Sequence, residues 1–246
     1  MKKYCFIDCG THVGEAIKEF NQEIILPKDW TGDCFDEKKR IGYNFLNNNA
    51  WDVYTFEANP EINLHEIFKN KYKNLNISQQ AVWIEDGYIE FKSQHEQAKG
   101  KIKNRNFQGD TSHINSNEVR QDDWRCFKNE PTNNKISRVS CMDFSNFLFS
   151  LKGKYNRVIC KMDIEGAEVK VLEHCINQGS IDIIDDLYIE LHERFKYPRR
   201  NDCGHTPNDP AHIEKARKIK EAEDKLINIY KKHISGNVLR EPRPWH

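Results

Sequence analysis

Apolar and polar positions along the first third of the chain repeat in the order strand, turn, helix. Residues 4–7 form an apolar run that ends at Asp8 and Gly10, and residues 13–20 then place Val13, Ala16, Ile17 and Phe20 on one helical face. Residues 52–56 predict a second strand ending at Glu57, and Pro60 suits the first turn of a helix reaching about residue 72. A third strand is expected over 75–82. Between the first two units, residues 21–40 hold Pro27 and Gly32 and read as an insertion, with a short helix over 41–49. Strands alternating with helices imply a parallel sheet joined by right-handed crossovers.

The rhythm breaks after Trp83. Asp86-Gly87 reads as a turn and residues 88–91 as a short strand. Residues 94–136 are rich in Gln, Asn, Lys, Asp and Ser, the composition of a functional lid or a disordered loop. A strand over 136–141 follows, then Asp143 as the cap of a helix over 144–151, then a buried strand over 157–162 ending at Asp163. The next helix buries Val169, Val171, Leu172 and Cys175, and residues 186–191 give the fifth core strand. A loop over 192–210 leads to a charged helix over 211–233, whose narrow stripe is Ile213, Ala216, Ile219, Ala222, Leu226 and Tyr230. That stripe is expected to pack on the chain's own sheet rather than in a coiled-coil dimer, and oligomerisation stays open. The expectation is one domain over 1–246, with a variable insertion at 94–136 and a C-terminal helix at 211–233.

Composition narrows the class. With 246 residues, 37% of them apolar, and a mean hydropathy of -0.85, the chain can form a thin core under long solvated loops. Thirty-eight basic side chains match thirty-eight acidic ones, so no net field draws the molecule to nucleic acid or an anionic membrane. No run approaches the ~20 apolar residues of a membrane span, and the apolar start is too short for a signal peptide. A soluble, cytoplasmic protein is expected. Eight cysteines are scattered without a C-x-x-C pair, which favours reduced thiols over disulfides or a zinc cage.

Candidate chemistry gathers at strand ends. In Asp8-Cys9-Gly10-Thr11-His12-Val13-Gly14, Gly10 would let the backbone approach a ligand and Gly14 would let the helix start pack on the sheet. The spacing lacks the G-x-G-x-x-G of a pyrophosphate site and suits S-adenosylmethionine, which has no phosphate; an ordinary strand-to-helix turn is the alternative. Glu57 ends the neighbouring strand, where an acid can accept both ribose hydroxyls or simply cap the helix before Pro60. In Lys161-Met162-Asp163-Ile164-Glu165-Gly166-Ala167-Glu168, Asp163 and Glu165 are expected to face the reaction site. Glu168 is expected only to complement the helix dipole. Glu190 and His192 share one strand face; with Asp163 they supply a general base or carboxylate and imidazole ligands for a divalent cation.

Taken in order, I-D-C-G-T-H-V-G, T-F-E-A-N-P, Q-A-V-W, V-S-C-M-D-F-S-N-F-L, K-M-D-I-E-G-A-E and Y-I-E-L-H-E resemble the FkbM-like methyltransferase family over residues 4–193. The resemblance implies a Rossmann-like class I methyltransferase fold, α/β with a mostly parallel sheet and helices on both faces. It implies O-methylation of a sugar, glycan or similar polyhydroxylated acceptor. Carried onto this chain, it places Asp8, Gly10, Thr11 and Gly14 at the methionine end of the cofactor. It sets Glu57 and Ala58 at the ribose, and Gln80 and Ala81 against the adenine. His12 stands where the family usually has a small or amide residue, and so would contact the cofactor or the substrate in its own way. The catalytic set is Asp163, Glu165, Glu190 and His192, and a metal ligand set stays undecided. Arg194, Tyr197, Arg199, Arg200 and Trp124 are candidates to line the acceptor pocket. The class I fold closes with an antiparallel strand pair, for which little chain follows residue 233. Rival readings are a ribose 2′-O-methyltransferase on RNA, disfavoured by neutral charge and by Lys161 lying on a buried strand, and a non-catalytic nucleotide-binding module.

Overall fold

The computed structural model describes residues 3–21, 44–68, 71–94, 113–114, 134–192 and 210–240. In chain order the first elements are β1 (Tyr4–Cys9), α1 (Glu15–Phe20), β2 (Trp51–Phe56), α2 (Leu64–Phe68), β3 (Leu75–Ser78), β4 (Ala81–Trp83), β5 (Gly87–Gln94) and β6 (His113–Ile114). Then come β7 (Asn134–Asp143), α3 (Phe144–Leu151), β8 (Arg157–Met162), α4 (Glu168–Gln178), β9 (Asp186–Ile189), α5 (Pro210–Tyr230) and β10 (Val238–Arg240). Six strands, all parallel, form the main sheet in the order β10-β9-β8-β1-β2-β3. A second sheet, β4-β7-β5-β6, is mixed, with β5 antiparallel to β7 along its whole length.

Strand alternation in β1 explains why helices cover both faces. Cys5, Ile7 and Cys9 point into a core shared with Leu148 of α3, Leu172 of α4 and Tyr230 of α5. Phe6 points the other way, to Ile17 of α1 and to Leu64 and Phe68 of α2. Each such side chain, fully buried, contributes roughly 1.5–3 kcal/mol. A strand that is apolar on both sides is stable only between two helical layers. The α/β expectation therefore holds. No helix among the described residues is long and apolar enough to cross a membrane.

Several local expectations are corrected. The strand expected over 75–82 is two strands: β3 joins the main sheet, and after Gln79 and Gln80 the chain crosses to β4 in the second sheet. The polar pair Gln79-Gln80 marks the break in the sequence, and the change of sheet follows it. The helix expected from Pro60 starts at Leu64 and ends at Phe68, because Asn59 and Asn63 each turn their own backbone, accepting from Glu61 N at 3.0 Å and Glu66 N at 3.2 Å. Residues 44–50 form turns rather than the end of a helix. The 186–191 strand stops at Ile189. Asp143 does cap α3, accepting from Asn146 N at 3.1 Å.

The sheet edge also differs from the closure the resemblance implied. Among the described residues β10 follows α5 as a single strand parallel to β9, in place of an antiparallel pair. The turn between them is pinned by Gly236 N to Asp185 O at 2.8 Å and by Asn237, whose backbone and side chain both donate to Asp186 Oδ1. Arg240 of β10 pairs with the buried Glu223 of α5, which fastens helix to strand. On α5 the expected stripe holds at Tyr230, which is fully buried, and fails at Ile213, which is exposed. Cys5, Cys9, Cys141, Cys160 and Cys175 are free and buried, and burial raises the thiol pKa values of Cys5, Cys9 and Cys175, so they act as small apolar side chains. Cys34, Cys126, Cys203, Trp124, Arg194, Tyr197, Arg199 and Arg200 lie outside the described residues, as does most of the 94–136 insertion.

Candidate functional site

Strand order reverses at β1, with β2 and β3 on one side and β8, β9 and β10 on the other. In open parallel sheets the crevice beyond the carboxyl ends of the strands at such a reversal is where ligands bind. Register places Asp8 opposite Lys161 and Cys9 opposite Met162 across this seam. The glycine turn that leaves β1 and the acidic turn that leaves β8 therefore emerge side by side.

The glycine turn is shaped by protein contacts before any ligand is considered. Gly10 has φ +80°, and a Cβ there would lie 1.7 Å from Asp163 O, so the residue lets the two turns approach each other. Gly14, also at φ +80°, would place a Cβ 2.4 Å from the Phe68 ring; it admits α2, not the sheet as expected. Thr11 is buried and donates its hydroxyl to Asp8 O at 3.1 Å. His12 takes the left-handed conformation at φ +50°, which aims its backbone N–H at Glu57 Oε2, 2.7 Å away. The other Glu57 oxygen accepts from Asn59 N at 2.7 Å. Burial raises the Glu57 carboxyl above the usual range while those two N–H donors pull it down. Gln79 locks the same lip by donating to Glu57 O and Asn59 O, both at 2.9 Å. Ala58 is half-buried, Gln80 accepts from Ser78 Oγ at 2.9 Å, and Ala81 is buried in β4 opposite Cys141 of β7.

The acidic turn is organised by a residue read from sequence only as a helix-dipole partner. Glu168 is fully buried and accepts from Ile164 N at 2.9 Å, from Gly166 N at 3.1 Å and from His192 Nδ1 at 2.8 Å. These bonds hold Glu165 at φ +55°, a conformation that costs free energy for a residue with a Cβ. His192 Nε2 then faces Glu190 Oε1 at 3.4 Å, Glu165 Oε2 at 3.6 Å and Asp163 Oδ1 at 3.8 Å. Burial alone would lower the His192 pKa; the carboxylates of Glu168, Glu165 and Glu190 outweigh it and raise the value to about 9. The surrounding carboxylates thus favour the protonated imidazole. The expected set Asp163, Glu165, Glu190 and His192 is brought together in full.

Lys161 was set aside as a buried strand residue, and its ammonium proves to reach the site. Nζ lies 3.4 Å from Asp163 Oδ2, 3.5 Å from Gly10 O and 3.7 Å from Asp8 Oδ1. Asp8 is fully buried, and burial pushes its carboxyl above the usual range, with Lys161 the main influence in the opposite direction. The signal for Lys161 was present in the sequence: a lysine among the apolar residues of a core strand is costly unless its charge is matched. Asp163, Glu165 and His192 also offer one ligand atom each within 4.8 Å of one another, a spacing that suits a divalent cation.

Searches of curated proteins and of solved structures each returned no match. The methyltransferase FkbM domain matches residues 8–219, a span that runs from Asp8 through the glycine turn, the acidic turn and His192 into α5. Most of the chain, including every candidate residue, lies within it, and the chain belongs to the FkbM methyltransferase family.

Proposed function

We propose that this methyltransferase moves the methyl group of S-adenosylmethionine onto a hydroxyl of a sugar, glycan or similar polyhydroxylated small molecule, with residues 1–246 acting as one cytoplasmic domain. The observation that carries the reading is the reversal of strand order at β1, where the glycine turn, Glu57 and the acidic turn all leave the carboxyl ends of neighbouring strands. Asp8, Gly10, Thr11, His12 and Gly14 hold the methionine end. Glu57 and Ala58 meet the ribose, since each Glu57 oxygen keeps a lone pair beyond its backbone bond. Gln80 and Ala81 border the adenine.

Methyl transfer is an in-line displacement. The methyl leaves the sulfonium sulfur, which keeps the electron pair, and bonds to the acceptor oxygen as the hydroxyl proton departs. Asp163 is the proton acceptor in this reading. His192 is unsuited to that role in its protonated state and instead balances the charges of Glu165 and Glu190. A divalent cation held by Asp163, Glu165 and His192 is the second reading; its binding would require His192 Nε2 to give up its proton, and it would acidify the acceptor hydroxyl. Turnover that survives exhaustive chelation would remove the cation and leave the carboxylates as base and electrostatic floor.

Isothermal calorimetry with S-adenosylmethionine comes first, and absence of binding would leave a non-catalytic module. Labelled methyl transfer to a panel of mono- and oligosaccharides then tests the acceptor class, with a short RNA in the same panel. Lys161 beside Asp163 removes one objection to a ribose 2′-hydroxyl acceptor, so salt-sensitive RNA binding and label on RNA alone would replace the sugar reading. Full turnover by Asp163→Ala on the acceptor so found would refute the assignment of the base.

A further inference from the structure

We propose that Lys161 sets how strongly the site prefers the positively charged cofactor over its neutral demethylated product. This deepens the reading of the crevice as an S-adenosylmethionine site and rests on it. Lys161 is 5% exposed, on the central seam of the sheet, where Ile159 two residues earlier is fully buried. A buried ammonium is costly without matching charges. Asp8 on one side and Asp163 on the other, at 3.7 and 3.4 Å, both face this ammonium. Neither Asp8 oxygen accepts a hydrogen bond among the described residues, although the side chain is fully buried. Beyond Asp163 stand Glu165 and Glu190, with the imidazole of His192 between them.

Among the described residues, several carboxyl groups therefore stand where the glycine turn meets the acidic turn. The methyl must point from the first turn towards the second, so the sulfur sits close to this group of charges. Asp163, Glu165 and Glu190 attract a sulfonium there, and Lys161 opposes them. Once the methyl has moved to oxygen, the remaining thioether is neutral and that attraction is lost. A site with Lys161 removed would hold the donor more tightly; a site with an acid removed would hold donor and product more nearly alike. Lys161 acts here as a positioning and charge-setting residue and forms no bond to the reacting atoms.

The experiment measures calorimetric Kd values for S-adenosylmethionine, for sinefungin as a second cationic ligand, and for S-adenosylhomocysteine, all in chelator. The expected result for Asp163→Asn and for Glu165→Gln is a fall in cation preference of about three- to tenfold, the size Coulomb's law gives for a unit charge about 8 Å away under partial screening. Lys161→Met shifts the preference the opposite way by a similar factor. Should Lys161→Met not fold, the Asp8→Asn/Lys161→Met pair, which removes one charge of each sign, is compared with Asp8→Asn alone. A preference that stays the same within twofold in all these variants, with both ligands still bound, overturns the inference. If wild-type protein binds none of the three ligands, the cofactor reading itself fails and this inference with it.

Discussion

The two acids that end neighbouring strands, Glu57 after β2 and Asp163 after β8, occupy equivalent places in the sheet and are treated differently. Glu57 is held by backbone N–H groups, one on each oxygen, both at 2.7 Å. Asp163 is held by side-chain charge, with Lys161 at 3.4 Å and His192 at 3.8 Å. Backbone donors are fixed dipoles, set once the chain is folded, whereas side-chain charges can be redistributed by a proton or a ligand. The first arrangement suits recognition of a constant group such as a ribose. The second suits a place where charge changes during the reaction.

The largest way to break this contrast is Gly10→Ala, because the turns can stand beside each other only without a Cβ at that position. The clash with Asp163 O and the φ of +80° together predict a loss of about 4 kcal/mol or more, or no soluble protein, read by denaturant unfolding. Next is Glu168→Ala, which strips the acceptor from two backbone N–H groups and leaves protonated His192 without its nearest partner. About 3–5 kcal/mol of stability should be lost, and a loss under about 1 kcal/mol would show that Glu168 does not organise the turn.

The pH dependence of stability sharpens the side-chain half. The His192 pKa is raised above its unfolded value, so its stabilising contribution is complete below about 6.5 and disappears as pH rises through about 9. Unfolding free energy should therefore fall by roughly 2–3 kcal/mol across that window, and the fall should be absent in His192→Asn. A flat wild-type profile would mean that the carboxylates do not hold the proton. The smallest effect belongs to the backbone half. Glu57→Gln offers one acceptor oxygen to two N–H donors and should cost about 1–2 kcal/mol in unfolding. Its stability should show no pH dependence beyond that of wild type.

Much of this layout was legible along the chain. The ends of β1, β2 and β8 could be read because an apolar run stops at a charged residue, and α3 because Asp143 precedes it. The gathering of Asp163, Glu165, Glu190 and His192 was readable from two strand ends placed on one side of a parallel sheet. Glu168 was misread, since a first-turn acid exposed to solvent and one buried under a loop look alike in sequence. Lys161 does lie on a buried strand, as read; what the sequence does not show is that its ammonium reaches Asp8 and Asp163 at the strand end. The break between β3 and β4 is marked by Gln79-Gln80, but that pair does not say which sheet each strand joins, since pairing partners are set by tertiary contacts.

Amino-acid order alone determined which segments are buried, which side chains alternate to which face, and which acids stand at the carboxyl ends of strands, because these follow from local periodicity. The tertiary structure alone decided that Gly10 accommodates Asp163, that Glu168 holds His192, and that Lys161 stands between Asp8 and Asp163. Each of those facts joins residues on different strands or turns. Distances between such residues are set by sheet register and turn geometry, which no local pattern encodes.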